Sequence, residues 1–229
     1  MIRSFPKGTS CGKDGLRAQH LLDALSGVAV AIADELIGSI TCVVNLFLGG
    51  QCPASLGEFL ASAPLTPLLK PGGGVRPIVV GSVWRRSVSK VAASVVGKSL
   101  GPYLEDAQFG VGVPGGGEAV LHVVNRLVES QGHDNSLTLL LVDFMNAFNL
   151  VDRGDMINEV HRMCPTISCW VEFCYARPAR LYYEDHVLYS CQGVQQGDPL
   201  GPLLFSLVLH PLIRKIMDNC VLKLNACTP

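Results

Sequence analysis

The order of apolar and polar positions divides the chain into helical segments interrupted by short β-prone pairs. Leu16, Leu21, Leu22 and Leu25 share one helical face, and a second helical pattern runs from about Val28 to Leu48 and stops at Gly49-Gly50. Ser55 to Leu60, after Pro53, reads as a short helix or turn. Ala63–Leu69 and Val75–Val80 are β-prone runs joined by Lys70-Pro-Gly-Gly-Gly74, which predicts a hairpin carrying Lys70 and Arg76 at its tip and flank. Trp84 to about Leu104 reads as a helix with Arg85, Arg86, Lys90 and Lys98 set among Val and Ala. A glycine-rich loop, Gln108 to Gly117, leads into a helix from Glu118 to about Glu129.

The second half follows the same logic. Asp152 or Asp155 caps a helix running to Met163, and another spans Ile167 to Tyr175. Arg180–Tyr183 and Val187–Cys191 flank Glu184-Asp-His186 as a second hairpin. Asp198 as a cap and Pro199 at the first helical position open a long helix. Its apolar face is Leu200, Leu203, Leu204, Leu207, Leu212, Ile213 and Ile216.

One run breaks this rhythm. Leu137 to Val142 is continuously apolar, the length of a strand buried on both faces, and it ends abruptly at Asp143. A buried strand has no packing use for an ionised carboxylate. Either the strand carries Asp143 to an edge where a cation or water satisfies it, or Asp143 caps the turn at Met145-Asn146-Ala147. Phe148 lies just beyond that turn, close enough to wall the same pocket.

Composition narrows the class. The 229 residues are 48% hydrophobic and 16% charged, enough to build one large domain or two small ones and too apolar for a disordered chain. The net charge of −1 advertises no global attraction to nucleic acid. Yet no acidic residue lies between Glu58 and Glu105, while Lys70, Arg76, Arg85, Arg86, Lys90 and Lys98 all do. That run is either a phosphate-meeting surface or a solvated face whose acidic partners lie elsewhere in the fold. The nine cysteines form no Cys-x-x-Cys pair, and the five-residue steps of Cys164, Cys169 and Cys174 march around a helix instead of converging on one ion. They read as reduced, mostly buried thiols. The glycine-rich loop lacks the Gly-Lys-Ser/Thr of a P-loop. No signal peptide opens the chain, and Asp34 and Glu35 interrupt its most apolar early segment, so the expectation is an intracellular protein of the nucleus or cytoplasm with no membrane span.

Several of these stretches, in this order, resemble a reverse transcriptase of the non-LTR (LINE-like) retrotransposon type. Gly12-Lys-Asp-Gly-Leu16 resembles the family's opening block, and Leu65–Lys70, Val75-Arg-Pro-Ile78 and Ser89-Lys90 resemble its fingers motifs. Gln108-Phe-Gly110 resembles the short template-side motif. Asp143-Phe-Met-Asn-Ala-Phe148 is similar to the first palm motif and Gln196-Gly-Asp-Pro-Leu-Gly-Pro-Leu-Leu-Phe205 to the second. The likeness covers roughly residues 8 to 217. It departs in two places. Asn149 stands where the family has an aspartate, and no Asp-Asp pair of the kind found in the third palm motif occurs in the sequence.

The resemblance implies an α+β fold of right-hand polymerase type, with helices packed on a small antiparallel sheet. Residues 1–135 would form a fingers-like region with the start of the palm, and 136–229 a partial palm. It implies addition of dNTPs to a primer 3′-hydroxyl on an RNA template, with a DNA primer and two Mg²⁺ ions. Asp143 would be the catalytic carboxylate and metal ligand, helped by the carbonyl of Phe144. Lys70 and Arg76 would close over the triphosphate, Phe148 would exclude a ribose 2′-hydroxyl, and Gln196 and Gly197 would line the nucleotide pocket. Gln108 and Gly110 would touch the template. Without the Asp-Asp motif the chain is expected to be inactive alone and poorly soluble. A non-catalytic RNA-binding module is the other expectation; an RNA polymerase is disfavoured by Phe148.

Overall fold

In the computed structural model, residues 1–26, 32–104, 107–134 and 138–219 are described. The first half supplies helices α1 (Ala18–Ala24), α2 (Ala33–Leu48) and α3 (Ser55–Ala61), strands β1 (Ala63–Leu69) and β2 (Val75–Val79), and helices α4 (Val83–Leu104) and α5 (Gly116–Gln131). The second supplies α6 (Ala147–Leu150), α7 (Arg153–Met163), α8 (Pro165–Tyr175), β3 (Ala179–Tyr183), β4 (His186–Ser190) and α9 (Gly201–Asn219). The sequence periodicity therefore finds most elements within a few residues of their observed bounds. The stretch from Val28 falls partly outside the described residues, and α9 begins two residues beyond Pro199.

The core lies between α2, α4, α7, α8 and α9. On α4, Val88, Ala92, Val96, Leu100 and Leu104 recur every fourth residue, so they form one continuous ridge. That ridge packs with Met156 and Val160 of α7, Ile167, Trp170 and Val171 of α8, and Leu203, Leu204 and Leu207 of α9. Trp170 is buried with its ring near Phe47 and Phe173, and its indole N–H donates to the Ser89 hydroxyl at 3.2 Å. Burying the ring while satisfying its one polar atom fixes how α4 and α8 sit against each other.

Four strands form one sheet in the order β2-β1-β3-β4. Strands β1 and β2 pair antiparallel from Leu65↔Val79 to Leu69↔Val75, and β3 and β4 pair antiparallel from Ala179↔Ser190 to Tyr183↔His186. The junction between the two hairpins is parallel, through Ala63↔Leu181 and Pro64↔Tyr182. The sheet is thus mixed, which corrects the expectation of an antiparallel one. A parallel neighbour requires a long crossover, and the chain from α4 to α8 provides it.

The run expected to be a doubly buried strand is not one. Residues 138–144 carry no regular structure, and Leu140, Leu141 and Val142 are 81%, 84% and 64% exposed; Leu137 lies outside the described residues. A strand is buried only when neighbours pair with its backbone and cover its faces, and among the described residues none does. The apolar face of α9 is likewise covered only at its start: Leu212 and Ile216 are half exposed. No helix among the described residues is long and apolar enough to cross a membrane.

Burial also sets a pH response. The Cys174 thiol is pushed up from 9.0 to about 12, chiefly by burial, and that of Cys164 from 9.0 to about 11 by the same cause. Their folded values are raised, so the stability they contribute is complete below about pH 9 and is lost as pH climbs toward 12. Urea unfolding of the whole chain should show Cys174 removing about 2 kcal/mol between neutral pH and about pH 10.5. In a Cys174→Ala variant that part of the alkaline slope should vanish; an unchanged slope would show that the thiol is not buried.

Candidate functional site

The segment 190–198, between β4 and α9, joins the parts of the site. Gly193 N donates to the Val151 carbonyl at 2.9 Å and Val194 N to the Phe148 carbonyl at 2.7 Å. Two residues later the Gln196 carbonyl accepts from Val79 N at 2.7 Å, at the end of β2. The same short segment is therefore bonded to the Phe148 backbone on one side and to the base of the β1–β2 hairpin on the other.

Such close approach dictates glycine. Gly193 has φ +69°, and a Cβ there would collide with the carbonyl oxygens of Phe148 and Asn149. Gly197 has φ +119°, and its Cβ would collide with the Val79 carbonyl oxygen.

Of the residues expected to bind nucleotide, Phe148 is half buried, its ring 5.3 Å from that of Phe205 on α9. Gln196 and Gly197 sit beside β2, as described. Lys70 and Arg76 stand at the far end of the hairpin, exposed, and neither enters an ion pair among the described residues. The turn there is closed by Lys70 N to the Gly74 carbonyl at 3.0 Å.

Asp143 is exposed on the unpaired segment, and the neighbouring Phe144 ring packs edge-on to Phe205 at 6.2 Å. The Asp143 carboxylate and the Phe144 carbonyl offer oxygen donors of the type Mg²⁺ takes, but fewer than its octahedral shell requires. Among the described residues no three His, Cys, Asp or Glu side chains gather as a metal-binding group. The pair fits as part of a metal centre, not as a whole one. Cys164 and Cys174 are buried thiols and Cys169 an exposed one, while His161, close to them in the sequence, meets Glu172 at 2.7 Å.

Gln108 turns its side chain onto its own loop. Its Nε2 donates to the Val111 carbonyl at 2.7 Å, and its Oε1 accepts from Gly110 N at 3.0 Å and Val111 N at 2.8 Å. The amide thus shapes the turn that presents Gly110, which is exposed.

Sequence reasoning missed a buried cation beside the site. Arg85, counted above with the basic surface, is 2% exposed. Its Nη2 pairs with Asp198 Oδ2 at 3.0 Å, and its Nη1 donates to the Ala61 carbonyl at 2.8 Å and to the Gln195 side chain. Burial alone would push its pKa down, but the Asp198 carboxylate outweighs this and holds it above the ordinary arginine value. Tyr175, raised well above its ordinary pKa mainly by burial, donates to Asp198 Oδ2 at 2.8 Å. The capping role expected of Asp198 is half of what it does: Oδ1 accepts from Leu200 N at 3.0 Å. A signal was available, since Arg85 lies three and seven residues before Val88 and Ala92, on the buried face of α4.

Replacing Gly197 by Ala should cost at least ~2 kcal/mol, because the new Cβ meets backbone that cannot move away. Urea denaturation of G197A checks this; a loss within about 0.5 kcal/mol, the size of a neutral surface change, would show that the Val79 contact is not kept in solution.

Comparison with known proteins completes the picture. The chain is 28% identical over 226 residues to the retrotransposable element SLACS 132 kDa protein of Trypanosoma brucei gambiense, covering 96% of this chain and 18% of that protein. It is 23% identical over 221 residues to the retrovirus-related Pol polyprotein from type-1 retrotransposable element R2 of Nasonia vitripennis, covering 93% of this chain and 20% of that one. The chain thus spans about a fifth of the length of these curated relatives. Residues 68–228 match the model of the family described as reverse transcriptase (RNA-dependent DNA polymerase). With most of its length inside that match, and with its motifs in the order of the non-LTR type, the chain belongs to the reverse transcriptase family.

Proposed function

We propose that these residues form the nucleotide-binding part of a retroelement reverse transcriptase, holding a deoxynucleoside triphosphate against a DNA primer and an RNA template. In this reading residues 1–135 are fingers-like with the start of the palm, and 136–229 are a partial palm. The observation that carries it is the double attachment of segment 193–197, to the Phe148 carbonyl on one side and the Val79 amide on the other. That attachment supports placing the Phe148 ring, the Gln196-Gly197 backbone and the hairpin bearing Lys70 and Arg76 around one substrate.

The roles follow from chemistry. A hairpin with a seven-residue strand reaches roughly 20 Å at about 3.3 Å per residue, so its tip can swing over a triphosphate bound near its base. Lys70 and Arg76 would then bring two unpaired cations to the phosphate oxygens. Gly197 lets backbone approach the nucleotide, and Phe148 presents bulk where a ribose would carry its 2′-hydroxyl. Gly110, on the turn that Gln108 shapes, would lie along the template backbone. Asp143 and the Phe144 carbonyl would contribute oxygen ligands to divalent ions. Such ions, when bound, neutralise the triphosphate and activate the primer hydroxyl. Because the sequence has no adjacent aspartates, the reading gives these 229 residues nucleotide and template binding, with primer extension expected to be absent from the chain alone.

Two measurements test this. A fluorescent dNTP analogue titrated into the chain with Mg²⁺ should bind. The Lys70→Ala/Arg76→Ala variant should weaken it at least tenfold, roughly the value of one charge-assisted hydrogen bond. Equal binding by wild type and variant would remove the hairpin from the site. In competition, wild type should prefer dNTP over NTP, and Phe148→Val should reduce that preference by about tenfold, the scale set by steric fit in an apolar pocket. An unchanged ratio would place the 2′-hydroxyl elsewhere.

A further inference from the structure

Two buried arginines hold the two ends of segment 190–198, and both guanidinium groups lie over the ring of one tyrosine. Arg85 of α4 grips the far end through Asp198 and the Gln195 side chain. Arg153, at the start of α7, grips the near end. Its Nε donates to the Gly193 carbonyl at 2.9 Å and its Nη1 to the Ser190 carbonyl at 2.8 Å. Its Nη2 donates to Ser190 Oγ at 2.7 Å and more weakly to the Gln192 carbonyl at 3.4 Å. The Tyr175 ring faces both guanidinium groups, with centroids 5.4 Å from the Arg85 carbon and 5.3 Å from that of Arg153.

Three backbone carbonyls of this segment, those of half-buried Ser190, exposed Gln192 and buried Gly193, accept from Arg153. Buried carbonyls need donors, and a guanidinium supplies five in a fixed plane where a lysine supplies one mobile point charge. The conformation of the segment is therefore set by the shape of the forks as well as by their charge. What the forks immobilise is the stretch that carries Gln196 and Gly197.

We infer that Arg85 and Arg153 are positioning residues. By packing on Tyr175 and holding residues 190–198 at both ends, they keep the Gln196-Gly197 backbone where an incoming nucleotide meets it. The inference rests on the nucleotide-site reading above. It predicts that the arginines act on substrate binding without touching substrate.

A purely structural role is separable. Replacing a buried ion pair by apolar residues of similar volume is often neutral for stability, so Arg85→Met/Asp198→Leu can fold while losing the fork. The measurements are amide hydrogen exchange at Val79 and Val194, whose N–H groups bond to the Gln196 and Phe148 carbonyls, and dNTP-analogue affinity in the full chain. In the double variant, and in Arg85→Lys, both amides should exchange roughly tenfold faster, as for one charge-assisted bond lost locally. Nucleotide affinity should fall by a similar factor. A core variant remote from the segment in sequence, Val44→Ala, should keep both near wild type after correction for global stability. If the double variant fails to fold, Arg85→Lys alone carries the comparison.

Folded variants with wild-type exchange or wild-type affinity overturn the inference. If the wild-type chain binds no nucleotide, the nucleotide reading fails, and the exchange data alone decide whether the arginines hold the segment.

Discussion

A carboxylate buried beside the site constrains everything around it. Asp198 has a side chain only 1% exposed, and moving such a charge out of water is costly unless partners saturate it. Here Arg85 and Tyr175 share one oxygen and the Leu200 amide takes the other. Each partner comes from a different element: α4, α8 and the entry to α9. Removing Arg85 alone would break a buried ion pair, a loss of about 3–5 kcal/mol, while losing the Tyr175 or Leu200 hydrogen bond to the charge would cost about 1.5–3 kcal/mol. Those elements are therefore tied to one another through a single side chain, and the segment before α9 inherits their rigidity.

Burial and bonding thin out with distance from that point. The Val79–Gln196 bond fixes the base of the β1–β2 hairpin, but the strands beyond it carry prolines at 67 and 77, each unable to donate to the ladder. The tip is exposed and glycine-rich. A base bonded to segment 190–198 and an exposed tip are compatible with the closing role proposed for Lys70 and Arg76. The Asp143 segment has less support still. It is attached through Phe144 and Phe148 to the Phe205 ring, while its backbone finds no strand partner among the described residues.

This gradient explains which features could be read from the sequence. The hairpin bounds were legible because glycine and proline act locally, and the helices because a face repeating every three or four residues is a property of the segment itself. The 137–142 strand was misjudged because burial of a strand is conferred by its neighbours, which its own residues do not encode. The parallel β1–β3 junction was illegible for the same reason: pairing across more than a hundred residues leaves no local mark. Arg85 was misread because a run of basic residues was counted as one surface. Its position on the α4 ridge separates it from Arg86, which instead donates to the Ser10 carbonyl at 2.6 Å near the surface.

The Gln195–Pro199 stretch shows why a motif can be recognisable without each residue being chemical. The Gln195 amide donates to the Ala61 carbonyl at 3.1 Å, closing the end of α3. Gln196 contributes its carbonyl to Val79, Gly197 contributes the absence of a side chain, and Asp198 contributes a buried charge. Pro199 follows at the turn into α9. Four of these five residues are accounted for by the geometry of a crowded junction, leaving only the Gln196 side chain unassigned to it. A spacing this tight arises because backbone from β2, the Phe148 turn and α9 must meet with no room for a Cβ at Gly197, which is a packing condition. In the nucleotide site proposed above, the same condition leaves the Gly197 backbone without a side chain beside β2, where close approach is sterically open.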